Sequence, residues 1–341
     1  MKKIPPGHIL PSAAYAISKR HCKFYDFIDK KPEVGDVIYG RVNRLGQHSE
    51  LENKFGRIHK INDGSKAIFV FGNRYAPDYY EAFVPNEVEN EIDLVARSGI
   101  VGLASTKNSS IKDPTRIKFL GYVCDDKGVV VNTRKYSIIK PTQTEKKQNR
   151  SKLILVVGTS MNSGKSTSAA ACCWGLSTMG YDVRASKITG TASLKDVLYM
   201  QDAGAKIIND FTHFGYPSTY MLEESEIIGI FNDLDLRYAN NSKNYWVVEI
   251  ADGILQREAA ILLNSKDVRS RIHKLVFASY DAFGAIGGIN ILKNNFDLVP
   301  DVISGVCSGS PLLIRELSEF TKIPILNNIE WNLKEISELL L

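Results

Sequence analysis

A chain of 341 residues exceeds what one hydrophobic core usually organises, so two domains are expected. Its 44% apolar and 24% charged residues describe a globular protein; with no apolar run of about 18 residues and no signal-like apolar stretch after Met1-Lys-Lys-Ile-Pro-Pro6, neither membrane insertion nor secretion is expected and a cytoplasmic location is. The net charge of +5 hides an asymmetry, because residues 1–150 hold 26 Lys and Arg against 17 Asp and Glu, a net +9, and the rest carries −4. No dense Lys/Arg block accompanies that excess, so a solvated basic surface is preferred to a nucleic-acid partner.

Through residues 1–140, short apolar runs rich in β-branched residues alternate with turn residues: 36–42, 67–71, 99–104, 117–123 and 129–131. They predict a smaller β-rich domain, with Asp125-Asp-Lys-Gly128 as a hairpin turn in which Gly128 supplies the positive φ. Gly35-Asp-Val-Ile-Tyr-Gly-Arg-Val42 faintly resembles small barrels of the oligonucleotide-binding kind, over these eight residues only. Residues 141–152 are polar, contain one proline, and read as a linker.

From residue 153 the pattern switches to strands alternating with helices, which implies a mostly parallel, doubly wound α/β sheet over 153–341. Leu153–Val157 reads as a strand buried on both faces and 166–179 as a helix. Further strands are expected at 182–186, 246–250, 274–278, 301–306 and 323–326. The five cysteines are scattered without C-x-x-C spacing and read as reduced thiols, with Cys172 and Cys173 as small apolar filler in the first helix.

Between that strand and helix stands Gly158-Thr-Ser-Met-Asn-Ser-Gly-Lys-Ser-Thr167. Such a loop cradles phosphate oxygens with backbone N–H groups at a helix amino end. Gly158, Thr159, Ser160, Asn162, Ser163, Gly164, Lys165, Ser166 and Thr167 are therefore the candidate nucleotide contacts. Lys165 would reach the β- and γ-phosphates, and the Ser166 or Thr167 hydroxyl would bind Mg²⁺. An apolar strand ending in an acid is where a group ordering that Mg²⁺ is expected, which marks Glu249, with Asp252 as a competitor. Either acid could instead cap a helix beginning near Ile254.

The loop departs from G-x4-G-K-[ST] by one residue, and its Gly-Thr opening resembles dethiobiotin synthetase, with GTDTxxGKT, and cobyric acid synthase, with GTxSxxGKS. Both belong to the P-loop NTPase class that also contains MinD and the signal-recognition GTPases. Ser160 stands where MinD and ParA carry an extra lysine, which argues against a MinD-like dimeric switch. Ser186-Lys-Ile-Thr-Gly190 resembles the Lys-Pro-x-x-Thr-Gly segment of dethiobiotin synthetase, and Tyr245-Trp-Val-Val-Glu249 its Glu-Gly-x-Gly-Gly element. The resemblance, which covers about residues 151–341, implies that Lys187 approaches the transferred phosphoryl group and that Thr189 and Gly190 line a small anionic substrate.

The polar stretch 195–220 reads as a substrate-facing loop in which Asp210 and His213 could do acid–base work. Loops at 281–290 and 305–311 are expected near the base and ribose, with Ser310-Pro311 also readable as a helix start. No Asn-Lys-x-Asp guanine signature occurs, so ATP is preferred to GTP. The domain also diffusely resembles the P-loop group that includes D-amino-acid N-acetyltransferases. The leading expectation is an ATP- and Mg²⁺-dependent hydrolase, kinase or ligase that phosphorylates or activates a small acidic metabolite. The alternatives are a regulatory ATPase with a basic amino-terminal domain that binds a protein or nucleic-acid partner, and an N-acyltransferase that turns over no ATP. A homodimer is expected from relatives of this class.

Overall fold

The computed structural model describes residues 1–140 and 145–341; positions 141–144 of the expected linker lie outside the described residues. Two compact units result. One comprises Met1–Lys140 with Thr191–Lys195 and Phe211–Met221, and the other Pro141–Gly190, Asp196–Asp210 and Leu222–Leu341.

The first unit contains β1 (Lys2–Lys3), β2 (Phe24–Asp26), β3 (Val37–Arg44), β4 (Glu50–Glu52), β5 (Ile58–Lys60), β6 (Lys66–Phe71), β7 (Arg74–Tyr75), β8 (Tyr80–Phe83), β9 (Glu91–Leu94), β10 (Ile100–Lys107) and β11 (Thr115–Cys124). β3 pairs with β6, β6 with β10, β10 with β9, β9 with β11 and β11 with β3, so five strands close into a ring. Closure leaves those strands no free edge and turns alternate side chains inward. Ile38, Phe69, Phe71, Ile92, Leu94, Val101 and Ile117 fill a core there. Gly128 has φ +81° in the expected turn, whose Asp125 Oδ1 accepts from the Lys127 and Val129 amides. The expected strand at 129–131 reduces to one bridge between Val130 and Cys124, because this turn occupies the preceding backbone donors.

The second unit holds one six-stranded parallel sheet: β12 (Lys152–Gly158), β13 (Asp182–Lys187), β14 (Ile207–Asp210), β15 (Asn244–Glu249), β16 (Ile272–Ala278) and β17 (Val302–Ser304), in the order β14-β13-β15-β12-β16-β17. The connections are α1 (Lys165–Thr178), α2 (Lys195–Asp202), α3 (Glu224–Tyr238), α4 (Arg257–Asn264), α5 (Lys266–Arg269), α6 (Ala282–Phe296) and α7 (Pro311–Phe320), and α8 (Leu333–Leu340) closes the chain. From β12 the chain first moves toward β13 and β14 and later toward β16 and β17, so the sheet is wound in both directions. Right-handed crossovers then cover both faces, and the switch point falls at the carboxyl end of β12, where such sheets bind ligands. β12 has strands on both sides, which is why Leu153–Val157 is uniformly apolar and buried. α1 presents Ala169–Cys173 to the interior, and Gly175 leaves the space that Ile336 of α8 fills.

Further expectations change. The stretch read as a loop at 195–220 contains α2, β14 and a short 3-10 turn over Phe211–Phe214. Residues 282–290 are helical: Asp281 caps α6, and Gly288 lies against the Phe277 ring where a Cβ has no room. The strand expected over 301–306 is only Val302–Ser304, and that over 323–326 is a single bridge from Ile325 to Ile303, since the Pro324 ring carries no amide for a ladder. α4 starts at Arg257 and is capped by Gln256, so neither Glu249 nor Asp252 caps it. All five cysteines are free and buried. Among the described residues no helix is long and apolar enough to cross a membrane.

Candidate functional site

The loop from Thr159 to Gly164 is held from several sides by the backbone of its own unit. Thr159 N donates to Ala278 O at 3.0 Å, Ile254 N to Gly158 O at 2.9 Å and Val306 N to Ser163 O at 3.1 Å. Two turns in the left-handed region close it, Asn162 at φ +62° and Gly164 at φ +95°. A Cβ on Gly164 would lie 2.8 Å from Gly305 Cα, and one on Gly305 would strike Ser163 O and lie 2.6 Å from Ser279 N. Both glycines are therefore required by close approach as well as by φ. Beyond them α1 begins at Lys165, with its first amides directed at the loop's mouth as every helix start leaves them.

Charge gathers beneath that loop. Lys165 is buried and its Nζ donates to Ser160 O at 2.7 Å. Ser166 Oγ lies 3.1 Å from both Asp196 Oδ1 and Glu249 Oε1. Lys187 Nζ pairs with Asp196 Oδ2. Burial lowers the Lys165 pKa, with Glu249 and Asp252 pulling the other way. Burial also works against the Lys187 charge, but Asp196 and Glu249 outweigh it and raise that pKa. Glu249 is pushed up by burial first and offset by Lys187, with Asp196 pushing up and Lys165 down.

Three polar atoms here are buried without a partner: Thr159 Oγ1, Ser163 Oγ and Glu249 Oε2. A buried oxygen left unpaired costs about 1–3 kcal/mol, so such a set marks a place built to receive something. Among the described residues no group of three or more His, Cys, Asp and Glu side chains could hold a metal ion unaided. Two carboxylates and one hydroxyl nonetheless suit Mg²⁺, which takes few protein oxygens and keeps waters and phosphate oxygens as its other ligands. The residues present therefore fit a magnesium–nucleotide pair.

Of the sequence-derived candidates, the structure gathers Lys165, Ser166, Lys187 and Glu249 in one cluster, and Asp252, at φ +60°, acts electrostatically on both lysines. Thr167 follows Ser166 in the first turn of α1. Ser160 is exposed, and its Oγ donates to Met161 O at 3.1 Å. Thr189 is buried and accepts from Ala251 N at 3.0 Å, which braces the turn after β15. Gly190, at φ +126°, passes so near Lys187 that a Cβ would lie 3.4 Å from its Cε. Asp210 ends β14 as the register partner of Lys187 and is fully buried. His213 belongs to the first unit, where it is buried, its ring lies 4.5 Å from that of Tyr15 and its carbonyl accepts from Ile138 N. That burial does not match the open substrate-facing loop expected for it.

Two further residues stand outside the sequence-derived set. Asp196, the second residue of α2, links Ser166 to Lys187; its only sequence signal is an acid in the first turn of a helix. Asn328 is buried and reaches Gly164 O at 3.3 Å and Ser168 Oγ at 3.4 Å through Nδ2, and nothing local in the sequence announces that reach.

No protein-family model matches the chain, and no curated protein matches it. Among solved structures it is similar to the signal recognition particle receptor FtsY from Elizabethkingia anophelis in complex with GDP, at TM-score 0.37 and 12% identity over 60% of this chain and 64% of that one. It is also similar to a ParA family ATPase from Chlorobium tepidum TLS, at TM-score 0.35 and 14% identity over 53% of this chain and 84% of that one. FtsY from Mycoplasma mycoides gives 0.34 and 14% over 56% and 65%. The matched stretch spans less than two thirds of either FtsY chain.

Proposed function

We propose that residues 152–341 bind Mg-ATP at the 158–167 loop and use it for phosphoryl transfer to, or ligase-type activation of, a small acidic metabolite. The observation that carries this reading is the approach of Ser166 Oγ to both Asp196 and Glu249 beside the buried Lys165 and Lys187, with Glu249 Oε2 unpartnered. Magnesium, when bound, would neutralise charge on the transferring phosphoryl group. Ser166, Asp196 and Glu249 would hold it. Lys165 would leave Ser160 O for the phosphate oxygens, and Lys187, already charged through its acidic neighbours, would stabilise charge spreading toward the acceptor. Gly190 packs closely beside Lys187 and Ala251, where a Cβ would lie 3.4 Å from Lys187 Cε and 2.9 Å from Ala251 Cβ. The missing guanine signature favours ATP over GTP.

A second reading, a regulatory ATPase that acts on a partner through residues 1–140, draws support from the grouping of 191–195 and 211–221 with the first unit. Isothermal titration with ATP and GTP, with and without Mg²⁺, followed by ADP-release assays across a panel of small carboxylic acids, tests the choice. Substrate-stimulated ADP release is expected. Mg-dependent ATP binding with turnover indifferent to every acid would favour the regulatory reading, and no Mg-dependent binding at all would sink both.

A further inference from the structure

We infer that the outer face of the five-stranded ring in the first unit binds the phosphate backbone of a single-stranded nucleic acid. The inference concerns that unit alone and holds under either reading of the second. Strand register carries it. Lys66 on β6 is the register partner of Arg41 on β3, and Arg41 is the partner of Lys118 on β11. Further along β3, Arg44 is the partner of Arg116 on β11. Like charges therefore stand directly opposite one another in three cross-strand pairs. Val42, Ala67 and Ile117, the strand neighbours of these residues, belong to the core, so alternation turns Arg41, Lys66, Arg116 and Lys118 outward. Lys66, Lys118 and Arg44 are exposed, and Arg41 and Arg116 are half-buried.

Like charges directly opposed on neighbouring strands destabilise a sheet unless acids relieve them. Here the acids are already engaged. Asp93, the β9 partner of Arg116, lies 2.6 Å from it. Glu91, the β9 partner of Lys118, turns instead to Arg116 at 3.4 Å and accepts from Asn43. Asp113, on which the Arg44 charge acts, pairs with Lys107 at 2.5 Å. Among the described residues Lys66, Arg41, Lys118 and Arg44 form no ion pair. The chain has no dense basic block, yet the fold assembles one from three strands. Strands lie about 5 Å apart and the two rows about 7 Å apart along β11, an open array that suits successive phosphates; a small anion needs enclosure. Beside the second row lies a cleft of about 490 Å³, lined among others by Arg44, Arg116, Ser105 and Thr106. Small ligands occupy sites of that size, and its hydroxyl and guanidinium donors suit sugar and phosphate oxygens. A duplex keeps its bases in the stack and an acidic polypeptide has none, so the cleft selects a single strand.

The test follows fluorescence anisotropy of labelled oligo(dT) and oligo(rU) titrated with the full chain, beside a duplex and a polyglutamate of similar length. Both single strands are expected to bind, and to lose about 100-fold in affinity between about 50 and 200 mM salt, the fall for about five phosphate contacts. The tighter of the two identifies the sugar that the face prefers. Arg41→Gln, Lys66→Gln and Lys118→Gln combined should flatten the slope of log affinity against log salt by about 2. The same variant should melt no lower than the wild type, because its repelling pairs are gone, so loss of binding cannot be assigned to unfolding. Lys19→Gln, Lys127→Gln and Lys135→Gln combined remove equal charge from exposed positions outside the rows and should leave the slope within about 0.5. Equal flattening in the two triple variants overturns the proposal, since net charge alone would then account for binding. So does a duplex or polyglutamate bound as tightly as the single strands, or anisotropy that neither oligo(dT) nor oligo(rU) changes at the lower salt.

Discussion

Lys187 and Glu249 are register partners on β13 and β15, and Asp210 is the partner of Lys187 on β14. Residues in register on neighbouring strands share a face of the sheet, so one ammonium group stands in a row between two carboxylates at the carboxyl ends of three strands. Asp196, from the start of α2, completes the cluster through its ion pair with Lys187. An isolated charge could not be kept at such depth; Asp196 and Glu249 outweigh the burial of Lys187, whereas Asp196 works against the Glu249 charge that Lys187 favours.

The first prediction tests that interdependence. Lys187→Met removes a cation and leaves Asp196 and Glu249 facing each other, which should destabilise the second unit by about 3 kcal/mol, the scale of breaking a buried pair from one side. Adding Asp196→Asn should restore part of it, because the surviving carboxylate then has no like charge beside it. Urea unfolding followed by tryptophan fluorescence reports this unit specifically, since Trp174, Trp246 and Trp331 all lie within it. A double variant no more stable than Lys187→Met would contradict the pairing.

Lys165→Ala should separate binding from folding. Its charge is disfavoured by burial, so removing it should leave the thermal midpoint unchanged or slightly higher. Loss of a charged donor to phosphate should weaken Mg-ATP binding about 100-fold, in keeping with 1.5–3 kcal/mol for a charge-assisted hydrogen bond. Calorimetric titration reads the affinity and differential scanning the midpoint; unchanged affinity would remove Lys165 from the site.

What the sequence discloses here follows from how local each signal is. β12 is legible because a strand flanked on both sides must be apolar throughout, and Lys165 and Ser166 are legible because the proposed phosphate cradle is a contiguous turn. Lys187 and Glu249 sit at the ends of strong strand patterns. β14 is hidden: Ile207-Ile-Asn-Asp210 is only four residues long and ends in polar groups. The glycines of α6 look like a turn, yet Gly288 is there because the Phe277 ring needs the space. Asp196 and Asn328 are recognisable only through partners far away in the chain, as in the reach of Asn328 to Gly164.

Gly305→Ala should disturb the loop without touching any charged group. The residue has φ +96°, and a Cβ would be pressed against Ser163 O and lie 2.6 Å from Ser279 N and O. Backbone atoms cannot step aside as a flexible side chain can, so strain plus displacement should cost about 2 kcal/mol or more of stability. Mg-ATP affinity should fall as well, because Ser163 belongs to the proposed phosphate turn. Gly180→Ala, also at positive φ but with no atom within 4 Å of its Cβ, is the comparison that isolates backbone strain from collision. Equal effects at both positions would show that collision with the loop contributes nothing.

The last prediction concerns acid stability and the first unit. His48 Nε2 lies 3.0 Å from both Arg74 Nη1 and Val95 O, and its ring stacks on Tyr79. Burial first, and the Arg74 guanidinium second, lower its pKa from 6.5 to about 3, because a proton on the ring would be both desolvated and set against a fixed positive charge. The sign follows from which state takes the proton. Above pH 6.5 the imidazole is neutral in the folded and unfolded chains alike, and stability is independent of pH on its account. Below 6.5 the unfolded chain binds a proton that the folded one refuses, so stability falls steadily until about pH 3. Between pH 8 and pH 5 the loss from this residue should be about 2 kcal/mol. His48→Gln keeps a polar side chain of similar reach but cannot titrate. Urea midpoints measured by circular dichroism at pH 8, 6.5 and 5 should converge toward the variant's as pH falls, and a constant difference between wild type and variant across that range would show that His48 titrates alike in both states.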